Sequence, residues 1–229
     1  MFTTIAILLT QLINTSAVIA QEKPLPQFFT ESKDSPASSM NPGQMKIKIS
    51  KKKRKITMDA VYLSEGISFS SIKKAVSEID QYDEISVPGI EESKSVKDSI
   101  FWMHSETMGV HSRDYFDLKE FINLEKGFAL GLSWIPIKKE NEWKDPIDTS
   151  FNDFAGYFYI KSLPREETKP QMNYIRYALV FDLHTVVPPF VIKAIVDFKG
   201  KSLAEGYIDA IIKAAIKSEE KNVDRKKTP

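Results

Sequence analysis

From residue 45 onward, apolar and polar side chains alternate in short runs, and only two stretches break to a longer period. The stretch MKIKISKKKRKITMDAVYL alternates on both sides of a lysine run, which predicts two strands at about 45–50 and 55–63 joined by a basic turn. In SFSSIKKAVSEIDQY, Ile72, Val76 and Ile79 share one helical face, with Ser68 or Ser70 as N-cap. Six more strand-like runs follow, at about 90–98, 99–109, 112–122, 127–137, 151–163 and 172–185. Their spacing suits a sequential antiparallel meander. The chain closes with a predicted helix over 188–221, where Ile192, Ile195, Val196, Leu203, Tyr207, Ala210, Ile211 and Ala214 form a stripe that Ile208 and Ile212 widen. Pro188 and Pro189 suit its first turn, where a missing N–H costs little. Gly200 and Gly206 each cost about 1 kcal/mol against alanine in a helix interior, tolerable where the helix bends or something approaches closely. The class is α+β.

Strand alternation also sorts side chains by face. Phe128, Leu130, Leu132 and Trp134 share a side, as do Phe154, Gly156, Phe158 and Ile160. Ile175, Tyr177, Leu179, Phe181 and Leu183 do likewise, leaving Arg176, Asp182 and His184 opposite. One sheet face is therefore broad and aromatic. Set against a helix carrying Gly206, Ala210 and Ala214, it either fills a solid core or leaves a cavity.

Residues 1–20 carry no charged side chain, and Val18 and Ala20 precede Gln21 as small residues precede a cleavage site. This reads as a signal peptide for export, with a retained anchor or buried helix as the competing reading. Residues 21–44, rich in Pro, Ser, Gln and Lys, read as a disordered linker, 45–221 as the folded domain and 222–229 as a disordered tail. Without cysteine, disulfides and thiolate chemistry are excluded. Export without disulfides fits a bacterial periplasm, or secretion. A net charge of +1 argues against a nucleic-acid partner.

HSRDYFDL (111–118) gathers histidine, serine, arginine and two aspartates, yet neighbours on one strand point to opposite faces and form no triad. The chain also lacks a G-x-S-x-G elbow, a glycine-rich phosphate loop and an H-E-x-x-H pair. Only His104, His111 and His184 could offer imidazole, so neither a metal nor a cofactor is expected. The run KKKRK (51–55) either touches anionic lipid headgroups or keeps an edge hairpin solvated.

Three segments carry a family resemblance. Residues 68–89, 113–118 (RDYFDL) and 182–188 (DLHTVVP) resemble the opening helix and turn, the Arg-Asp-aromatic strand and the last strand-to-helix junction of START-like lipid-transfer proteins. That superfamily includes polyketide cyclases and birch-pollen-allergen-like proteins. The glycine usual in the last turn is missing here. The resemblance implies a helix-grip fold, a curved antiparallel sheet wrapped around the C-terminal helix, with a hydrophobic tunnel between them. The implied partner is a lipid or other hydrophobic small molecule, bound by a monomer that makes transient membrane contact.

Candidate ligand contacts are Phe128, Leu130, Trp134, Phe154, Phe158, Tyr177, Leu179, Phe181, Gly206, Tyr207 and Ala210, with Arg113, Tyr115 and Glu106 as a polar group. If Arg113 faces inward, Tyr115 and Asp117 do too; the opposite register buries Phe116 and Leu118. Binding or transport without chemistry is the leading expectation. A cyclase- or hydrolase-like enzyme, or a ligand-free interaction module, are the competitors.

Overall fold

The computed structural model describes residues 40–107, 109–123, 127–135, 148, 151–164, 168–184 and 187–227. The signal-peptide reading of 1–20 lies outside them. Eight strands form one antiparallel sheet: β1 (Met45–Lys52), β2 (Lys55–Glu65), β3 (Ile90–Lys97), β4 (Ile100–Thr107), β5 (Val110–Asn123), β6 (Gly127–Ile135), β7 (Phe151–Ser162) and β8 (Met172–Leu183). Their spatial order is β1-β2-β8-β7-β6-β5-β4-β3. The expected meander thus runs from β3 to β8, and β8 then pairs with β2.

Helix α1 (Phe69–Ser77) begins where the Ser71 N–H donates to the Ser68 hydroxyl at 3.2 Å, which satisfies one of the free donors of the first turn. The terminal helix comprises α2 (Pro189–Ala194), a π turn (Ile195–Lys199) and α3 (Gly200–Lys227). The π turn lies immediately before Gly200, one of the two glycines at which a bend or close approach was expected. A Cβ on Gly200 would lie 2.7 Å from Ile49 Cδ1, so the glycine brings the helix onto β1. The helix continues six residues past the expected end at 221. The helix therefore takes in 222–227 of the stretch read as a tail, where Arg225, Lys226 and Lys227 favour helix and no proline intervenes.

Cross-strand register fixes the two faces of the sheet. Phe158 pairs with Leu130 on one side and Tyr177 on the other, and Tyr177 pairs with Ala60. These residues belong to the core that α1 and the terminal helix cover. The opposite face carries a bidentate pair, with Arg176 Nε and its terminal nitrogen donating to Asp59 at 2.8 and 2.9 Å. It also carries a small cluster of Met40, Val61, Leu63 and Tyr174. Met40, read as part of the linker, is thus buried against the sheet. Residues 40–44 pack as part of the domain, with the Gly43 N–H donating to the Leu63 carbonyl at 2.8 Å.

Candidate functional site

A cavity of about 120 Å³ lies between the concave sheet face and the terminal helix. Met103, Ser105 and Thr107 of β4, Val110 and Ser112 of β5, and Tyr177, Leu179, Phe181 and Leu183 of β8 form its sheet side. Ile195, Leu203 and Tyr207 of the terminal helix close it, with Pro88 and Gly89 at one end. A smaller space of about 30 Å³ adjoins it, sharing Leu132, Phe154, Tyr177, Leu179 and Tyr207 and adding Leu130, Phe158 and Tyr82. None of the described lining residues is Asp, Glu, His, Lys or Arg.

Where the two spaces meet, the rings of Tyr177 and Tyr207 stack at 4.6 Å and 13°. Phe158 lies 4.9 Å from Tyr177, and Tyr82 meets Tyr207 edge-on at 5.7 Å. The Tyr82 hydroxyl donates to the Val76 carbonyl at 2.8 Å and is satisfied. The hydroxyls of Tyr177 and Tyr207 have no hydrogen-bond partner among the described residues. Among the described residues the one sealed side-chain polar atom without a partner is His104 Nε2, so neither tyrosine oxygen is fully sealed, and both residues line the cavity. Burial pushes both phenols well above their ordinary value, and for Tyr207 the neighbouring tyrosines add to this. Both stay protonated and act as donors.

The register of β4 and β5 corrects the polar group expected from sequence. Met103 pairs with Asp114 and Ser105 with Ser112, which turns Met103, Ser105, Ser112, Asp114 and Phe116 toward the concave side. His104, Glu106, His111, Arg113 and Tyr115 point away from the cavity. His111 Nδ1 lies 3.5 Å from Glu106, and its ring stacks on His104. Arg113 is bridged through its backbone to Asp148. Arg113, Tyr115 and Glu106 therefore do not line the site. Inside stand Ser112 and Asp114, both about 2% exposed, the serine hydroxyl donating to the carboxylate.

Of the other expected contacts, Leu130, Phe154, Phe158, Tyr177, Leu179, Phe181 and Tyr207 line one or both spaces. Phe128 and Ala210 are buried in the surrounding core. Gly206 leaves no room at all, because Pro88 occupies the position its Cβ would take. The side chain of Trp134 lies outside the described residues. Ser105, Thr107 and Leu203 line the cavity without having been expected to. The period-2 pattern from Met103 held the signal for the first two, once the face of Met103 is known. The described residues contain no group of acids or histidines able to hold a metal ion.

At the helix start, the β1–β2 turn is bolted to the loop leading into α2. Arg54 Nε donates to the Leu183 carbonyl at 2.9 Å, and its terminal nitrogen contacts the carbonyls of His184 and Val187. Lys51, Lys52, Lys53 and Lys55 around it are exposed. On the adjoining helix Phe190 and Phe198 are 73% and 77% exposed, with Lys193, Lys199 and Lys201 beside them. No helix among the described residues is long and apolar enough to cross a membrane.

No protein-family model matches this sequence, and no curated protein matches it. Solved structures do. The chain is similar to human STARD10, with 11% identity and a TM-score of 0.53, over 89% of this chain and 85% of that one. It is also similar to the Zhui aromatase/cyclase from Streptomyces sp. R1128, with 7% identity and a TM-score of 0.50, over 70% of this chain and 93% of that one. With its eight-stranded antiparallel sheet closed around a long terminal helix, the chain has the helix-grip fold of START domains and aromatase/cyclases.

Proposed function

We propose that the protein binds a hydrophobic small molecule between sheet and terminal helix without changing it covalently. The observation that carries this is an apolar cavity whose described lining holds no ionisable acid or base other than tyrosine. Desolvation of an apolar body drives entry, and a few hydroxyls fix its orientation. An engineered cavity of about 150 Å³ holds benzene, so about 120 Å³ suits a body of ring size. A longer tail reaches the adjoining space past Tyr177, or enters by displacing the helix at its π turn beside Ile195.

The competing enzymatic reading rests on Asp114. Its carboxylate accepts from the hydroxyl of Ser112, a lining residue, but Asp114 is not itself among the described lining residues. Transport between membranes would use the Phe190–Phe198 end, where exposed aromatics and lysines suit an anionic lipid surface. Export to the periplasm or secretion rests on the uncharged 1–20 segment alone, and sequencing the N-terminus of the mature protein tests it.

Native mass spectrometry of protein extracted gently from its own source tests binding. A bound apolar mass, released on unfolding, is the expected result. A protein that is always empty and that takes up no added apolar probe overturns the reading.

A further inference from the structure

The cavity has unused donors at a defined place. Tyr177 and Tyr207 line both spaces, stack at 4.6 Å, and offer two hydroxyls with no partner among the described residues. A tyrosine hydroxyl in an apolar setting is normally paired, because an unmade hydrogen bond in protein is costly. Elsewhere on the lining, Ser105 and Thr107 add hydroxyls that likewise have no partner among the described residues. The described lining offers no cation to neutralise an anion and no carboxylate to neutralise a cation. A charged head would enter unpaired, at a cost far above what a neutral hydrogen bond returns.

We infer that the ligand is an uncharged amphiphile whose hydrogen-bond-accepting head, a hydroxyl, ketone or ester oxygen, is held by the hydroxyls of Tyr177 and Tyr207. This rests on the cavity-binding reading above. Ionised fatty acids and lysophospholipids are disfavoured. The aromatic stack at the junction supports the head and the aliphatic lining takes the tail. Because both phenols remain protonated across the physiological range, the preference does not change between pH 6 and pH 9.

The test is competition against N-phenyl-1-naphthylamine on the full chain, at pH 8, with octane, octan-1-ol, octan-2-one and octanoate. Octanol and octanone are expected to displace the probe about tenfold more tightly than octane, about 1.4 kcal/mol, with octanoate weakest. In the doubly substituted Tyr177→Phe, Tyr207→Phe protein, octane should compete as before while the oxygenated ligands lose their advantage. Both rings remain, and no hydrogen bond within the described protein is removed, so the fold is retained; an unchanged thermal midpoint without ligand checks this. Octanoate matching octanol, or an octanol-to-octane ratio unmoved by the substitutions, overturns the inference and leaves cavity binding standing. Failure of all four compounds, octane included, overturns both.

Discussion

Gly206 lets the terminal helix rest directly on Pro88. A Cβ at that position would stand 2.5 Å from the proline Cγ and 3.6 Å from its Cδ. The glycine is there for contact, and the space it leaves is already filled. Gly206→Ala would gain about 1 kcal/mol of helix propensity. Forcing a methyl against a ring that cannot swing aside costs about 1–3 kcal/mol. The net is destabilising, about 1 kcal/mol, and calorimetry should show a thermal midpoint about 2–4 °C lower. At Gly200 the obstacle is Ile49 Cδ1, the far end of a flexible side chain. Gly200→Ala should leave the midpoint unchanged or slightly raised. A stabilised Gly206→Ala protein would mean the helix does not sit on Pro88.

Arg113 and Leu203 separate the two faces of the site. Arg113 points away from the cavity, while Leu203 lines it. Arg113→Ala should leave the affinity for an apolar probe within about twofold, well under the 1.4 kcal/mol that a tenfold change represents. Leu203→Trp should fill the cavity and reduce probe binding at least tenfold, because an indole takes up most of a ring-sized space. Titrating both variants with one fluorescent probe compares them, and a tenfold loss in Arg113→Ala would place the arginine inside.

Vesicle sedimentation should reveal the Phe190–Phe198 end. Binding to vesicles containing anionic phosphatidylglycerol should exceed binding to neutral phosphatidylcholine, and should fall as salt screens the lysines. Phe190→Ser with Phe198→Ser should reduce binding on both, and glutamine at Lys51, Lys52, Lys53 and Lys55 only on the anionic vesicles. The acids nearby temper the effect, since Asp197 engages Lys193 and Glu205 lies 3.6 Å from Lys201. Equal binding to both vesicle types would rule out an electrostatic role for the hairpin.

Glu219 joins the start of α1 to the terminal helix, accepting the Ser68 N–H at 2.5 Å. Partial desolvation pushes its carboxyl up, but hydrogen bonds from Ser68 and Ser71 outweigh this and hold it below the usual carboxylate range. A depressed folded value means the ionised form stabilises the native state. That contribution is present above the ordinary carboxylate value and is lost as pH falls through the folded one. Glu219→Gln should lower the thermal midpoint by about 1–2 °C at pH 7, the effect being small because solvent still screens the half-buried group. The difference from the unsubstituted protein should shrink as pH falls below the ordinary carboxylate range. An unchanged gap would assign the effect to packing.

Strand number, strand order within the meander, the capped first helix and the terminal helix follow from local periodicity, because period 2 and period 3.6 are written in consecutive side chains. So does the aromatic face of β6, β7 and β8, where nearly every second residue is large and apolar, Gly156 being the exception. In β5 that rule fails: Tyr115 is buried on the outer side while Ser112 and Asp114 are buried on the inner one. Polarity no longer marks the face there. Only pairing with β4, anchored by Phe101 opposite Phe116, selects the register.

The sequence by itself determined the α+β helix-grip layout and the apolar wall on three strands, since burying that face requires a partner such as the terminal helix. Whether any space remained between them was decided by the tertiary structure. Pro88, distant in sequence, fills the notch at Gly206, while Tyr177 and Tyr207 stack and line the cavity that is left. A cavity is a difference between two surfaces brought together over long sequence separations, so no local pattern along the chain can encode its position.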